Sequence, residues 1–284
     1  MTAAEAAPYG QRMADAADGL LLTWLGQAGF LLQAGRTSLL LDAFLSPHPD
    51  RQTPATLGAA SFHDLDGVLA THEHWDHLDL PAWPELAAGS PAATFVVPAP
   101  IVDQVTGAGG GLPPARVVGA EPGERLRLGE AEVTPLPARH GVHVADAYNF
   151  GEALSGGACR YLGYVVDLGG ARVYHAGDTI DYPELAPRLR ELDVDLALLP
   201  VNGRDAAREA QDVVGNLDER EAADLAARAG VDAAVPMHYD MFAGNPGDPG
   251  RFVGLLRAGG AGISGFVPAP HRKFAYRRSR GPAA

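Results

Sequence analysis

Three histidines and an aspartate stand within six residues in the run Thr71-His72-Glu73-His74-Trp75-Asp76-His77. Imidazole nitrogen suits zinc, manganese and iron, and a carboxylate shifts such a site towards harder cations. Alternate residues of an extended segment point the same way, so His72, His74 and Asp76 approach one centre while His77 turns to a second. Four groups do not fill two metal sites, and further ligands must arrive from distant sequence. His140, Asp178 and His238 qualify because each follows directly on an expected strand, and strand ends on one sheet edge converge on one crevice. Two divalent cations so held lower the pKa of a bridging water towards neutrality and give a hydroxide for attack on a carbonyl carbon or phosphorus. Asp76 is then expected to orient that nucleophile and handle its proton, in addition to ligating metal. Glu73 points away by the same alternation and is expected to be structural or to support the ligands from behind.

The elements that must position these residues follow from pattern. Leu20 to Gln33 is β-type with Gly26 and Gly29 interrupting it, and Gly35-Arg36 turns the chain into a strand from Thr37 to Leu41. Ser46 to Thr56 is rich in Pro, His, Asp and Thr, and is expected to be a surface loop bordering a pocket. Gly67 to Thr71 is a short apolar strand running straight into the histidine cluster, and Asp79 before Pro81 is expected to cap a helix that includes Trp83. Trp24 and Trp75 are expected to be packing residues. Further strands are expected at Phe95 to Pro98, Glu132 to Pro137, Tyr161 to Asp167, Ala171 to His175, Leu196 to Val201 and Val231 to Pro236. The clearest helix is Asp218 to Gly230, with a capping-box pattern in Asp218 and Glu221 and a terminal glycine. Strands first, then strands interleaved with helices, imply an α/β layered fold, read as one domain of two similar halves over 19–280 behind a loose arm at 1–18.

Composition narrows the function classes. The 284 residues carry a formal net charge of −13, and a field of that sign repels phosphodiester backbones, so no nucleic-acid partner is expected. No apolar run reaches the roughly 18 residues of a membrane span, and the N-terminus lacks the basic and apolar regions of a signal peptide. The lone cysteine, Cys159, excludes an intrachain disulfide and fits a reducing compartment. Of the 22 basic residues only Lys273 is a lysine, which fits the nucleotide bias of a GC-rich genome.

The order His-X-His-X-Asp-His, then His, Asp and His, resembles the motif series of the metallo-β-lactamase superfamily over roughly residues 20 to 278. That resemblance implies His72, His74 and His140 around one metal, Asp76, His77 and His238 around a second, and Asp178 bridging them. The antibiotic-degrading branch carries cysteine where Asp178 stands, so β-lactam hydrolysis is not expected. Within the superfamily the chain resembles the L-ascorbate-6-phosphate lactonase-like group. The segments that carry this are Trp24 to Phe30, Tyr174 to Thr179, Leu199 to Asp205, Gly215-Asn216, Arg220 to Ala223 and Pro236 to Phe242. The resemblance implies a four-layer αββα sandwich, a cytoplasmic location and hydrolysis of a small lactone or ester, phosphorylated or sugar-derived substrates included. The cofactors implied are two divalent ions, zinc or manganese first and iron also permitted; a homo-oligomer is left open.

Asn202, Arg204, Tyr239 and His143 are the expected substrate-binding residues, with Arg208 and Asp240 behind them. Asn202 and Arg204 follow a strand that ends near the metals, and a guanidinium would hold a phosphate or carboxylate bidentately. The alternative is that Arg204 and Arg208 pair with Asp205, Glu209 or Asp212 and fix a loop. His175 is a candidate support for the ligands, and His48, His63 and His271 are expected at the surface. Two other functions stand beside lactone hydrolysis: a phosphodiesterase for phospholipid-like or cyclic-nucleotide substrates, and a binding protein without turnover.

Overall fold

In the computed structural model of the protein, residues 19–107, 110–140, 159–210 and 215–278 are described. The expected arm at 1–18, and His143, lie outside them. The strands of the first half are β1 (Leu20–Gly26), β2 (Gly29–Ala34), β3 (Thr37–Leu41), β4 (Gly67–Leu69), β5 (Thr94–Pro98) and β6 (Val117–Ala120). Those that follow are β7 (Leu126–Leu128), β8 (Ala131–Pro137), β9 (Leu162–Leu168), β10 (Ala171–His175), β11 (Leu196–Pro200), β12 (Ala233–Met237), β13 (Ser264–Gly265) and β14 (Lys273–Tyr276). One sheet runs β14-β1-β2-β3-β4-β5-β6 and the other β13-β12-β11-β10-β9-β8-β7. In each, an antiparallel meander leads into a parallel run, β3 to β6 in the first and β10 to β13 in the second.

Side-chain alternation sets the layers. Leu32, Leu39, Leu41, Leu69 and Val96 share one apolar cluster with Val133, Tyr164, Val166 and Val173 of the second sheet. Their strand neighbours Leu31, Leu40, Val68, Phe95 and Val97 point the other way, into a second cluster. That outer cluster holds Trp83 and Leu86 of α1 (Trp83–Gly89) and Val105 of α2 (Val102–Thr106). The far face of the second sheet is covered by α3 (Leu185–Glu191), α5 (Glu219–Ala229) and α6 (Pro249–Ala258), a short α4 (Ala206–Glu209) lying between them in sequence. The result is two mixed sheets between helical layers.

The capping box of α5 forms as its sequence implies: Asp218 accepts from the Glu221 backbone, the Glu221 carboxylate accepts from Asp218, and Gly230 ends the helix with φ of 69°. Asp79 behaves differently. Helix α1 starts later, at Trp83, behind Ala82. The Asp79 carboxylate instead accepts from the Leu45 and Ser46 backbones and the Ser46 hydroxyl at 2.6–2.8 Å. A buried carboxylate needs several donors, and the loop after β3 supplies three of them.

Candidate metal centre

Strand direction explains why distant residues meet. β3 and β4 are parallel, and so are β10, β11 and β12; β8 shares the direction of β10 because both are antiparallel to β9. The chain therefore leaves β4 into His72, β8 towards His140, β10 towards Asp178 and β12 into His238 at one edge of the sandwich. Backbone bonds tie the two sheets there, from Leu162 to Thr71 at 3.0 Å and from His238 to Gln27 at 2.9 Å. Gly177, with φ of 59°, lets Asp178 approach: a Cβ there would lie 2.8 Å from both the Leu162 carbonyl and the Thr71 side chain.

The seven expected ligands form two groups, His72, His74, His140 and Asp178 in one and Asp76, His77 and His238 in the other. Within each group the donor atoms lie within 4.8 Å of one another. Asp178 joins them. Its Oδ2 is 3.3 Å from His140 Nε2, and its Oδ1 is 3.3 Å from His77 Nε2 and 3.1 Å from His238 Nε2. Asp76 Oδ2 lies 3.4 Å from His238 Nε2 and 3.7 Å from His77 Nε2.

Several of these contacts suit a cation better than a proton. His72 Nε2 is buried with no hydrogen-bond partner. Its other nitrogen is 3.0 Å from Thr71 Oγ1, whose own proton goes to Asp42 at 2.6 Å, so His72 donates from Nδ1 and keeps a lone pair on Nε2. Asp42 likewise accepts from His77 Nδ1 at 2.7 Å, which turns Nε2 towards Asp178. A buried carboxylate behind a metal-facing histidine fixes its orientation. This donor set of imidazoles and carboxylates fits divalent metal.

Electrostatics divides the imidazoles. Burial pushes His72 well below its usual range and His140 down to about 3. Burial also opposes charge on His77 and His238, yet Asp178 and Asp76, joined by Asp42 for His77, outweigh it. They raise His77 well above its ordinary value and His238 to about 9. Burial raises Asp76 and Asp178 in turn, but the neighbouring histidines hold both carboxyls below the usual range.

The centre opens into a cavity of about 580 Å3, whose wall includes His74, Asp76, His140, Asp178, Asn202 and His238. Two residues not singled out from sequence as site residues, Asp42 and Gln27, brace the ligands. Gln27, fully buried in the tight turn after β1, donates to Asp76 at 2.8 Å and contacts His238 Nε2 at 3.2 Å. The signal for Asp42 was its place at the end of an apolar strand beside β4. Gln27 sat inside a segment noticed for its resemblance, with no individual role assigned.

Other expectations fare differently. Asn202 lies on the cavity wall, where its Oδ1 accepts from Asn216, a wall residue not singled out on its own from sequence. Arg204 does not line the cavity; both its terminal nitrogens grip the Glu221 carboxylate at 2.5–2.6 Å, so it braces the start of α5. Arg208 binds Asp205 and the Asn202 carbonyl. Tyr239 packs on Trp24 with centroids 5.0 Å apart and borders a separate cavity of about 210 Å3, with Asp240 beside it. Glu73 pairs with Arg160, and His175 donates to the Ala28 carbonyl at 2.7 Å. Trp75 is not a packing residue beneath the loop: it is 49% exposed, because the turn that aims His74 and Asp76 inward leaves the side chain between them at the cavity.

Fold and site together define a metal-dependent hydrolase of the metallo-β-lactamase fold. The β-lactamase superfamily domain matches residues 37–239, and the chain belongs to that superfamily. A UPF0173 metal-dependent hydrolase of Rubrobacter xylanophilus is 33% identical over 255 residues, covering 89% of this chain and 95% of its own. One of Pyrococcus furiosus is 29% identical, covering 83% and 91%. Among solved structures, a metallo hydrolase from Ignicoccus hospitalis superposes with a TM-score of 0.69 at 23% identity, covering 91% of this chain and 98% of its own. These relatives are named as metal-dependent hydrolases of unstated substrate, not as ascorbate-6-phosphate lactonases. No helix of the described residues is long and apolar enough to cross a membrane.

Proposed function

We propose that the protein hydrolyses a small, uncharged lactone or carboxylic ester at a two-metal centre formed by the seven residues, with Asp178 shared between the two groups. A pair of divalent cations held there would supply Lewis-acid polarisation of a carbonyl and a water acidified to near neutrality. The chain's own residues do the rest. Asp76 stays ionised and reaches the cavity, and the Gln27 amide fixes its Oδ2, so it orients the attacking water and accepts its proton. Asn202, Asn216 and Asn245 offer neutral amides to a substrate oxygen.

The observation favouring a neutral ester over a phosphodiester is the wall itself. Among the described residues, no lysine or arginine lines the cavity, and Arg204 is already held by Glu221. The stretches 141–158, after His140, and 211–214, before Asn216, contain neither lysine nor arginine. Enzymes that clamp phosphate ordinarily use such cations. The test is parallel turnover of a lactone panel and of bis(p-nitrophenyl) phosphate by metal-replete protein. Lactone turnover at least about tenfold above diester turnover in kcat/KM is expected; diester turnover without lactone turnover reverses the assignment.

A further inference from the structure

We propose that Trp75 and Phe242 form an apolar subsite that takes a flat, aromatic portion of the substrate beside the metal centre. The inference rests on the neutral-ester reading and deepens it. Trp75 and Val267 are the two large apolar side chains left exposed among the described residues, and only Trp75 lies at the metal centre. It shares the cavity wall with Asp76, His238 and Phe242. Its neighbours in sequence are His74 and Asp76, so its backbone belongs to the loop that carries both of these candidate ligands.

The ring is also braced. The His48 imidazole stacks on it at 4.5 Å with 14° between planes, and the edges of Phe44 and Phe242 approach at 5.1 and 4.9 Å. Phe44 in turn sits under the Arg51 guanidinium at 5.1 Å. Four rings thus pack tightly enough to hold Trp75 in one orientation, yet half its surface stays open. An indole braced by three rings yet half open to the cavity binds a further ring with little loss of conformational entropy. Charge points the same way, since among the described residues the wall carries neutral amides and no arginine or lysine for an anionic group.

The experiment compares dihydrocoumarin with δ-valerolactone, which has the same lactone ring without the fused arene. The readout is the ratio of their kcat/KM values in metal-replete protein. Trp75→Ala should lower that ratio on the order of 30-fold to 100-fold, chiefly through KM for dihydrocoumarin, with metal content retained. Trp75→Phe and Phe242→Ala should give smaller falls, and Trp75→Phe covers the case in which the alanine variant fails to fold. An unchanged ratio in the variants overturns the subsite. Binding of the neutral probe N-phenyl-1-naphthylamine separates the two readings. If the wild type hydrolyses neither lactone yet binds the probe at least tenfold more tightly than Trp75→Phe, lactone hydrolysis fails and the subsite stands. Equal probe affinity removes the subsite.

Discussion

At the scale of single residues, Asp42 carries the sharpest consequence outside the ligands. It is fully buried and accepts from the Thr71 backbone and hydroxyl and from His77 Nδ1. Asp42→Asn should therefore weaken metal binding by about 10- to 100-fold, read by competition with a chromophoric chelator; unchanged affinity would show that His77 needs no such anchor. The candidate ligands also set a pH dependence. His238 is raised to about 9, against about 6.5 in an unfolded chain, so its pairing with Asp178 and Asp76 stabilises the metal-free protein fully below about pH 6.5. That contribution is lost as pH rises through 9. His140, pushed to about 3, acts oppositely: the folded state keeps it neutral, and stability drains as pH falls from 6.5 towards 3. The Tm of metal-free protein should accordingly peak near pH 6.5, and scanning calorimetry across pH 4 to 9 checks this. Metal binding at neutral pH must displace protons from both His77 and His238, so affinity should rise with pH above neutrality and calorimetry in buffers of different ionisation enthalpy should detect proton release. Binding without released protons would contradict the assignment of His77 and His238 as ligands.

At the scale of elements, the α5 start and the β10 end make separate claims. Arg204 grips Glu221, whose carboxylate also closes the capping box of Asp218. Arg204→Ala should cost about 1 kcal/mol of stability and leave the kcat/KM for lactones within about threefold; a loss above tenfold at unchanged Tm would return Arg204 to substrate binding. Gly177→Ala should be more damaging, since it meets both the left-handed backbone and contacts at 2.8 Å. A cost of about 2 kcal/mol or more is expected, with metal content reduced because Asp178 is displaced. Most of these elements were legible in the sequence. Short apolar runs bounded by glycine and proline turns mark the strands, and Asp218, Glu221 and Gly230 mark both ends of α5. Asp79 carries the local pattern of a helix cap, whereas the donors it satisfies, Leu45 and Ser46, lie more than thirty residues upstream. The same holds for Arg204, expected to bind substrate or else to pair with Asp205, Glu209 or Asp212: its carboxylate partner, Glu221, is seventeen residues on.

At the scale of the whole molecule, the site depends on two sheets meeting at one edge. The sequence indicated that His140, Asp178 and His238 each follow a strand, and this was enough to place them near the His72 to His77 loop. It did not show that Asp42 and Gln27 would brace that loop, because both depend on the register between sheets and on turns that only packing decides. Nor did it reveal the exposure of Trp75, since an aromatic within a ligand motif reads the same whether covered or open. Seven side chains from both halves of the chain are proposed to share two cations. Anomalous diffraction at the metal absorption edge, from crystals of protein purified without chelator, tests it directly. Two peaks per chain are expected, one about 2 Å from donors of His72, His74 and His140 and the other about 2 Å from donors of Asp76, His77 and His238, with Asp178 between them. Peaks outside these two groups, or one peak ligated by residues of one half alone, would contradict it.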